Sequence, residues 1–168
     1  CFSLRQLYNA YFLLLPIHRA KYWDYGVSQL AEEISKRPSD HFLIDQSNIK
    51  PSYITLAFFL RYPPQKVQGE LDPLALSNYY YSGELKLPII FGNIELSRIN
   101  WEQDVYQGQI IVGDNLAISS SQVQEHRLEP VFVIKDILGE VRFQGYKTQP
   151  KLKCSTSKIK SSLCYGLK

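Results

Sequence analysis

Trp23, Val27, Leu30 and Ile34 recur at spacings of four, three and four, so residues 22–37 predict a helix with one apolar face. Glu32, Glu33, Lys36 and Arg37 fall off that stripe. Asp24 lies in the first turn and Lys36 and Arg37 in the last, as the helix dipole favours, and Pro38 stops the helix. Residues 42–45, Phe-Leu-Ile-Asp, are a short apolar run between polar neighbours and read as a buried strand. Residues 47–52 are a loop that offers N-cap candidates. Residues 53–62 are apolar on nearly every side, which predicts a buried helix ended by Pro63 and Pro64. Pro63, Pro64, Gly69, Pro73, Gly83, Pro88 and Gly92 then punctuate an irregular stretch, 63–92.

From residue 93 the period changes to two. Ile94, Leu96 and Arg98 alternate with Glu95, Ser97 and Ile99, and residues 109–112 form a short strand before a Gly113-Asp114 turn. Residues 130–136 and 140–146 are two strands around Ile137-Leu138-Gly139, a hairpin spacing with a glycine turn. At most one short helix, near 119–125, interrupts this half. The expected fold is α/β: a small mixed sheet with covering helices and a β-rich antiparallel C-terminal half.

Length and composition narrow this picture. A chain of 168 residues suits one domain. Hydrophobic residues at 45% and charged residues at 21% exclude wholesale disorder and coiled-coil or collagen-like structure. The formal charge of +3 belongs to the tail: residues 151–168 hold five of the 19 Lys and Arg and none of the 16 Asp and Glu, so the remainder is net negative. The expected organisation is a membrane-proximal segment at 1–20, one α/β domain at 21–149 and a basic Ser/Lys tail at 150–168. A mildly acidic body without a stacking-plus-basic motif argues against nucleic acid as partner. The tail lacks periodicity and reads as a frayed terminus, or as a basic arm for anionic lipid or a polyanion. Three readings of residues 2–17 stand: a segment following a membrane helix, a first buried element, or an interfacial helix. No run reaches the length of a membrane span. The absence of methionine, with Cys at position 1, suggests a fragment or a processed chain.

Motifs that carry chemistry are few. No glycine-rich phosphate loop, Gly-x-Ser-x-Gly elbow or zinc spacing occurs, and His18, His41 and His126 are isolated in sequence. No cofactor and no metal ligand is expected. Asp45 ends a strand ahead of a helix, where α/β enzymes place working residues, and also where an aspartate simply caps a turn. Glu95 and Glu102 would make a carboxylate pair only if the fold joined them. Tyr79, Tyr80 and Tyr81, with Trp101, are aromatic candidates for binding a glycan or a partner; packing over the core is the plainer account of the tyrosines. Trp23 and Tyr25 read as packing anchors. Cys154 and Cys164 would close a loop in an oxidising compartment, leaving Cys1 over.

Taken together, several segments resemble a known junction. Tyr8-Asn-Ala-Tyr-Phe12, Pro16 and Tyr22-Trp-Asp-Tyr-Gly26 are similar to the stretch after the last membrane helix in multi-spanning glycosyltransferases of the protein mannosyltransferase and aminoarabinose transferase superfamily. The helix at 53–62 closing on Tyr62-Pro63-Pro64 resembles that family's aromatic helix ending in Tyr-x-Pro. Residues 91–101 and 109–113 resemble its later strand pair. The likeness covers roughly residues 8–145 and departs at Tyr79–Tyr81 and in the tail.

The resemblance implies an extracytoplasmic C-terminal domain, membrane-associated. Its partners would be the membrane part of the same polypeptide and a glycan or lipid-linked sugar acceptor region. Such enzymes use a polyprenyl-phosphate sugar donor, and their catalytic carboxylates lie in early loops outside this stretch, so no catalytic residue carries over. Arg19 and Lys21 pull the other way, since positive charges beside a membrane helix favour the cytoplasmic side. The alternatives are a glycan- or protein-binding module and a free-standing α/β hydrolase-like enzyme.

Overall fold

The computed structural model describes residues 2–15, 24–48, 51–70, 88–156 and 163–164. Six strands form one mixed sheet in the order β2-β3-β1-β4-β6-β5: β1 (Phe42–Asp45), β2 (Ile89–Phe91), β3 (Ile94–Ser97), β4 (Ile110–Gly113), β5 (Glu129–Lys135) and β6 (Val141–Lys147). β1 is central and runs parallel to both β3 and β4. β2 is antiparallel to β3, and β6 is antiparallel to β4 and β5, so the C-terminal half extends the sheet as an antiparallel hairpin. The α/β class and the antiparallel second half agree with the hydrophobic pattern.

Among the described residues six α-helices accompany the sheet: α1 (Phe2–Tyr8), α2 (Val27–Ser35), α3 (Tyr53–Phe59), α4 (Pro64–Glu70), α5 (Ser120–His126) and α6 (Pro150–Thr156). A π-helical stretch, Asn9–Leu14, continues α1. β1 and β4 are buried at every position, because both faces of the sheet are covered. On one face Phe42, Ile44, Ile110, Val112 and Phe143 meet Val27, Leu30 and Ile34 of α2 and Leu56 of α3. On the other, Leu43 and Ile111 meet Val105, Ile118 and Leu128. Successive strand residues point to opposite faces, so a continuous apolar run is what a doubly covered strand requires.

Local chemistry explains the boundaries. α2 begins at Val27, later than the apolar stripe suggests, because Asp24 and Gly26 both take positive φ (51° and 91°) and turn the chain first. A side chain at Gly26 would meet Ile134 Cγ2 at 3.2 Å, so the glycine also allows α2 to approach the β5–β6 hairpin. α5 opens on a capping box: Gln122 N–H donates to Ser119 Oγ (3.4 Å) and Ser119 N–H to Gln122 Oε1 (2.8 Å). Opposite Gly145, the Phe132 ring lies where a Cβ would sit, 2.4 Å away, so an aromatic side chain covers a bare backbone position in the hairpin.

Three expectations change. The stretch 63–92 was expected to be irregular, yet it holds α4 and β2. Pro64 occupies the first position of α4, where a proline costs no hydrogen bond. Helix α3 ends at Phe59, and it is buried on one side only: Leu56 and Ala57 face the core while Ile54, Phe58 and Phe59 are exposed. Part of the tail is ordered as α6, and Cys154 is bonded to Cys164.

Candidate functional site

In an α/β sheet the carboxyl ends of the parallel strands are where working residues collect. Here those ends bring together Asp45, the last residue of β1, Ser97, the last of β3, and Asp114, just after β4, with Asn48 in the loop above. Both carboxylates are buried. Asp45 Oδ2 accepts from Ser47 N–H (2.8 Å), and its Oδ1 accepts from Ser47 Oγ (3.0 Å) and Ile99 N–H (3.3 Å). Asp114 Oδ1 accepts from Leu116 N–H (3.1 Å), Ala117 N–H (2.8 Å) and Asn48 Nδ2 (3.4 Å). Gln144 Nε2 fastens the same loop by donating to Asp114 O (3.1 Å) and Ile118 O (2.8 Å), and Tyr146 OH donates to Gln144 Oε1 (3.1 Å).

A general base needs a lone pair aimed at the proton it removes. Both Asp45 oxygens and Asp114 Oδ1 accept from the chain's own donors, chiefly backbone amides, and so tie three strand-end loops together. Gln46 Nε2, buried beside them, has no hydrogen-bond partner among the described residues. Asp114, Asn48 and Gln144 were not singled out by sequence. Gly113-Asp114 signals a turn, but nothing local to it reveals a bond to a glutamine thirty positions on.

The other sequence candidates separate. Tyr79, Tyr80 and Tyr81 lie outside the described residues. Trp101 is half-buried, and one face of its indole is stacked on His126, with centroids 5.0 Å apart and planes 12° from parallel. That face is closed to a sugar ring. Glu102 is exposed, and the carboxylate that senses Glu95 is instead Asp104. Burial raises the Asp104 pKa above the ordinary value, the Glu95 charge adds to the rise, and a hydrogen bond from Asn100 N–H opposes it. Among the described residues no group of three His, Cys, Asp or Glu is placed to hold a metal ion.

His126 is a second shifted group in this region. Its Nδ1 is buried with no hydrogen-bond partner among the described residues. Lys153 of α6 reaches alongside, its Nζ donating to Glu125 O at 2.9 Å. Burial lowers the His126 pKa below the usual value of 6.5, the Lys153 charge lowers it further, and Glu125 partly offsets both. The folded state therefore resists protonation more than the unfolded chain does. The stability this contributes is complete above about pH 6.5 and is lost as pH falls through the lower, folded value. We expect the urea midpoint to decline across that window in the parent and less steeply in His126→Gln. Equal slopes in the two proteins would show that the ring is open to water.

Another link joins α4 to the β2–β3 turn. Tyr62 OH donates to Glu70, 2.9 Å from either oxygen, and Gly92 N–H donates to Glu70 Oε2 at 2.9 Å. Those bonds lower the Glu70 pKa, the Gly92 amide most. Gly92 has φ 57°, and a Cβ there would come within 3.2 Å of the Tyr62 ring. No family model, no curated protein and no solved structure matches this chain.

Proposed function

We propose that this chain is an accessory domain on the extracytoplasmic side of a membrane, serving a glycosyltransferase that uses a polyprenyl-phosphate sugar donor and carrying no catalytic residue itself. The observation that carries the membrane placement is the N-terminal helical stretch. Leu4, Leu7, Tyr8, Tyr11, Phe12, Leu13 and Leu14 are each more than half exposed and point to several sides of the helix. Ser3, Arg5, Gln6 and Asn9 interrupt the first half, but residues 10–15 are apolar on every side, and such a turn calls for an apolar surrounding. No helix of the described residues is long and apolar enough to cross a membrane.

Two further features support the reading. The Cys154–Cys164 bond suits an oxidising compartment, which favours the extracytoplasmic side over the side that Arg19 and Lys21 suggest. The two buried aspartates at the strand ends serve as loop anchors, which weighs against a free-standing hydrolase. The choice of glycosyltransferase rests on the order of the segments at 8–26, 53–64 and 91–113.

The purified chain, incubated with a polyprenyl-phosphate-linked sugar and an acceptor, is expected to give neither transfer nor hydrolysis. Turnover that disappears in Asp45→Ala would overturn the proposal and restore the enzyme reading.

A further inference from the structure

Helix α3 has an apolar side that the core does not use. Ile54 and Phe58, one turn apart, are 62% and 74% exposed, and Phe59 beside them is 44% exposed. The Phe58 and Phe59 rings meet edge to face, 5.4 Å between centroids. The charge along the flanking chain is mostly positive. From Gln46 to Gly69 the chain carries Lys50, Arg61 and Lys66 and no Asp or Glu, although residues 1–150 as a whole are net negative. Arg61 is exposed in the turn that ends α3, where its N–H donates to Phe58 O at 3.0 Å. Lys66 lies over the Tyr62 ring, 5.6 Å from its centroid. The next acid along the chain, Glu70, is held ionised by the Gly92 N–H and Tyr62 OH bonds and by the nearby Lys66 charge, so it offsets one of these cations and leaves a net positive charge.

We propose that this side of α3 docks on an anionic lipid surface, with Ile54, Phe58 and Phe59 entering the boundary between headgroups and acyl chains and with Arg61 and Lys66 beside the lipid phosphates. Exposed aromatic and aliphatic tips flanked by cations are the composition that settles at that boundary. The local excess of positive charge complements an anionic leaflet. The size fits as well: three side chains on a seven-residue helix suffice for shallow insertion, whereas a stable protein interface uses about 20–30 residues a side. The inference rests on the membrane-proximal placement proposed above and not on the glycosyltransferase assignment.

The test places a tryptophan at the tip. In Phe58→Trp, the fluorescence gained over the parent protein reports position 58 alone. The full chain is mixed with phosphatidylcholine–phosphatidylglycerol vesicles whose acyl chains carry bromine, which quenches indoles inside the bilayer. The gained signal is expected to fall at least twofold. Arg61→Glu with Lys66→Glu is expected to weaken vesicle binding about tenfold on anionic vesicles and not on neutral ones. A chain that sediments with vesicles while the signal from position 58 stays unquenched overturns the α3 contact alone. A chain that does not sediment with them overturns it too, and removes the membrane-proximal placement as well. A lipid-free dimer that buries position 58 would assign the face to a second copy and overturn the proposal.

Discussion

Phe143→Ala is expected to destabilise the domain by about 4 kcal/mol, the scale for removing a fully buried phenylalanine. Phe143 is 1% exposed and sits in β6 opposite Ile134 of β5. Two of its ring carbons lie 3.3 Å from where a Cβ would stand on Gly26, so the ring fills the space between the hairpin and the start of α2. Truncation removes that contact and leaves a cavity between two elements that are far apart in sequence. Against a typical stability of about 5–15 kcal/mol, the variant should be partly unfolded at modest urea. Val133, in the same hairpin but half-exposed, provides the comparison: Val133→Ala should cost less than about 1 kcal/mol. Similar urea midpoints for the two variants would mean that Phe143 does not join the hairpin to α2.

Asp45→Ala is expected to cost about 2–3 kcal/mol, and here the sign matters more than the size. The side chain satisfies two backbone amides and a hydroxyl at the end of the central strand. Removing it leaves buried donors without an acceptor, and each such group costs roughly 1–3 kcal/mol. Asp45→Asn retains one acceptor oxygen and should recover part of the loss. A catalytic carboxylate behaves differently, because active sites are often built at the expense of stability and removing the working group is commonly neutral or stabilising. A higher melting temperature in Asp45→Ala would therefore contradict the anchoring role and point back to an enzyme.

What the sequence disclosed, and what it hid, follows from the range of each interaction. Strand β1 was legible with its observed bounds because four apolar-to-acidic residues between polar neighbours leave little choice. The β5–β6 hairpin was legible through Gly139, which holds φ 83° in the turn. Helix α4 was not: Pro63 and Pro64 read as a break, and only Val67 of its residues is buried, so no apolar period announced it. Strand β2 is three residues long and is defined by its pairing to β3 rather than by its own pattern.

At the strand ends, Asp45 was visible as a candidate because it closes an apolar run. Its partners Ser47 and Ile99, and the link from Asn48 to Asp114, depend on how three loops meet. The Trp101–His126 stack joins two residues that sequence treats separately, because they lie on different elements and meet only in the fold. Helix α3 shows the limit of hydrophobicity as a guide. An all-round apolar segment predicted burial, yet the same pattern describes a helix that covers the core on one side and leaves its other side exposed.

As proposed above, this domain is part of a larger membrane polypeptide on the extracytoplasmic side. An antibody raised against the 168-residue chain, used on membrane and soluble fractions of the source cells, tests it most directly. The expected result is a membrane-fraction band several times larger than 19.4 kDa, cleaved by protease added from the extracytoplasmic side. A soluble band of about 19.4 kDa, protected from that protease, would contradict it.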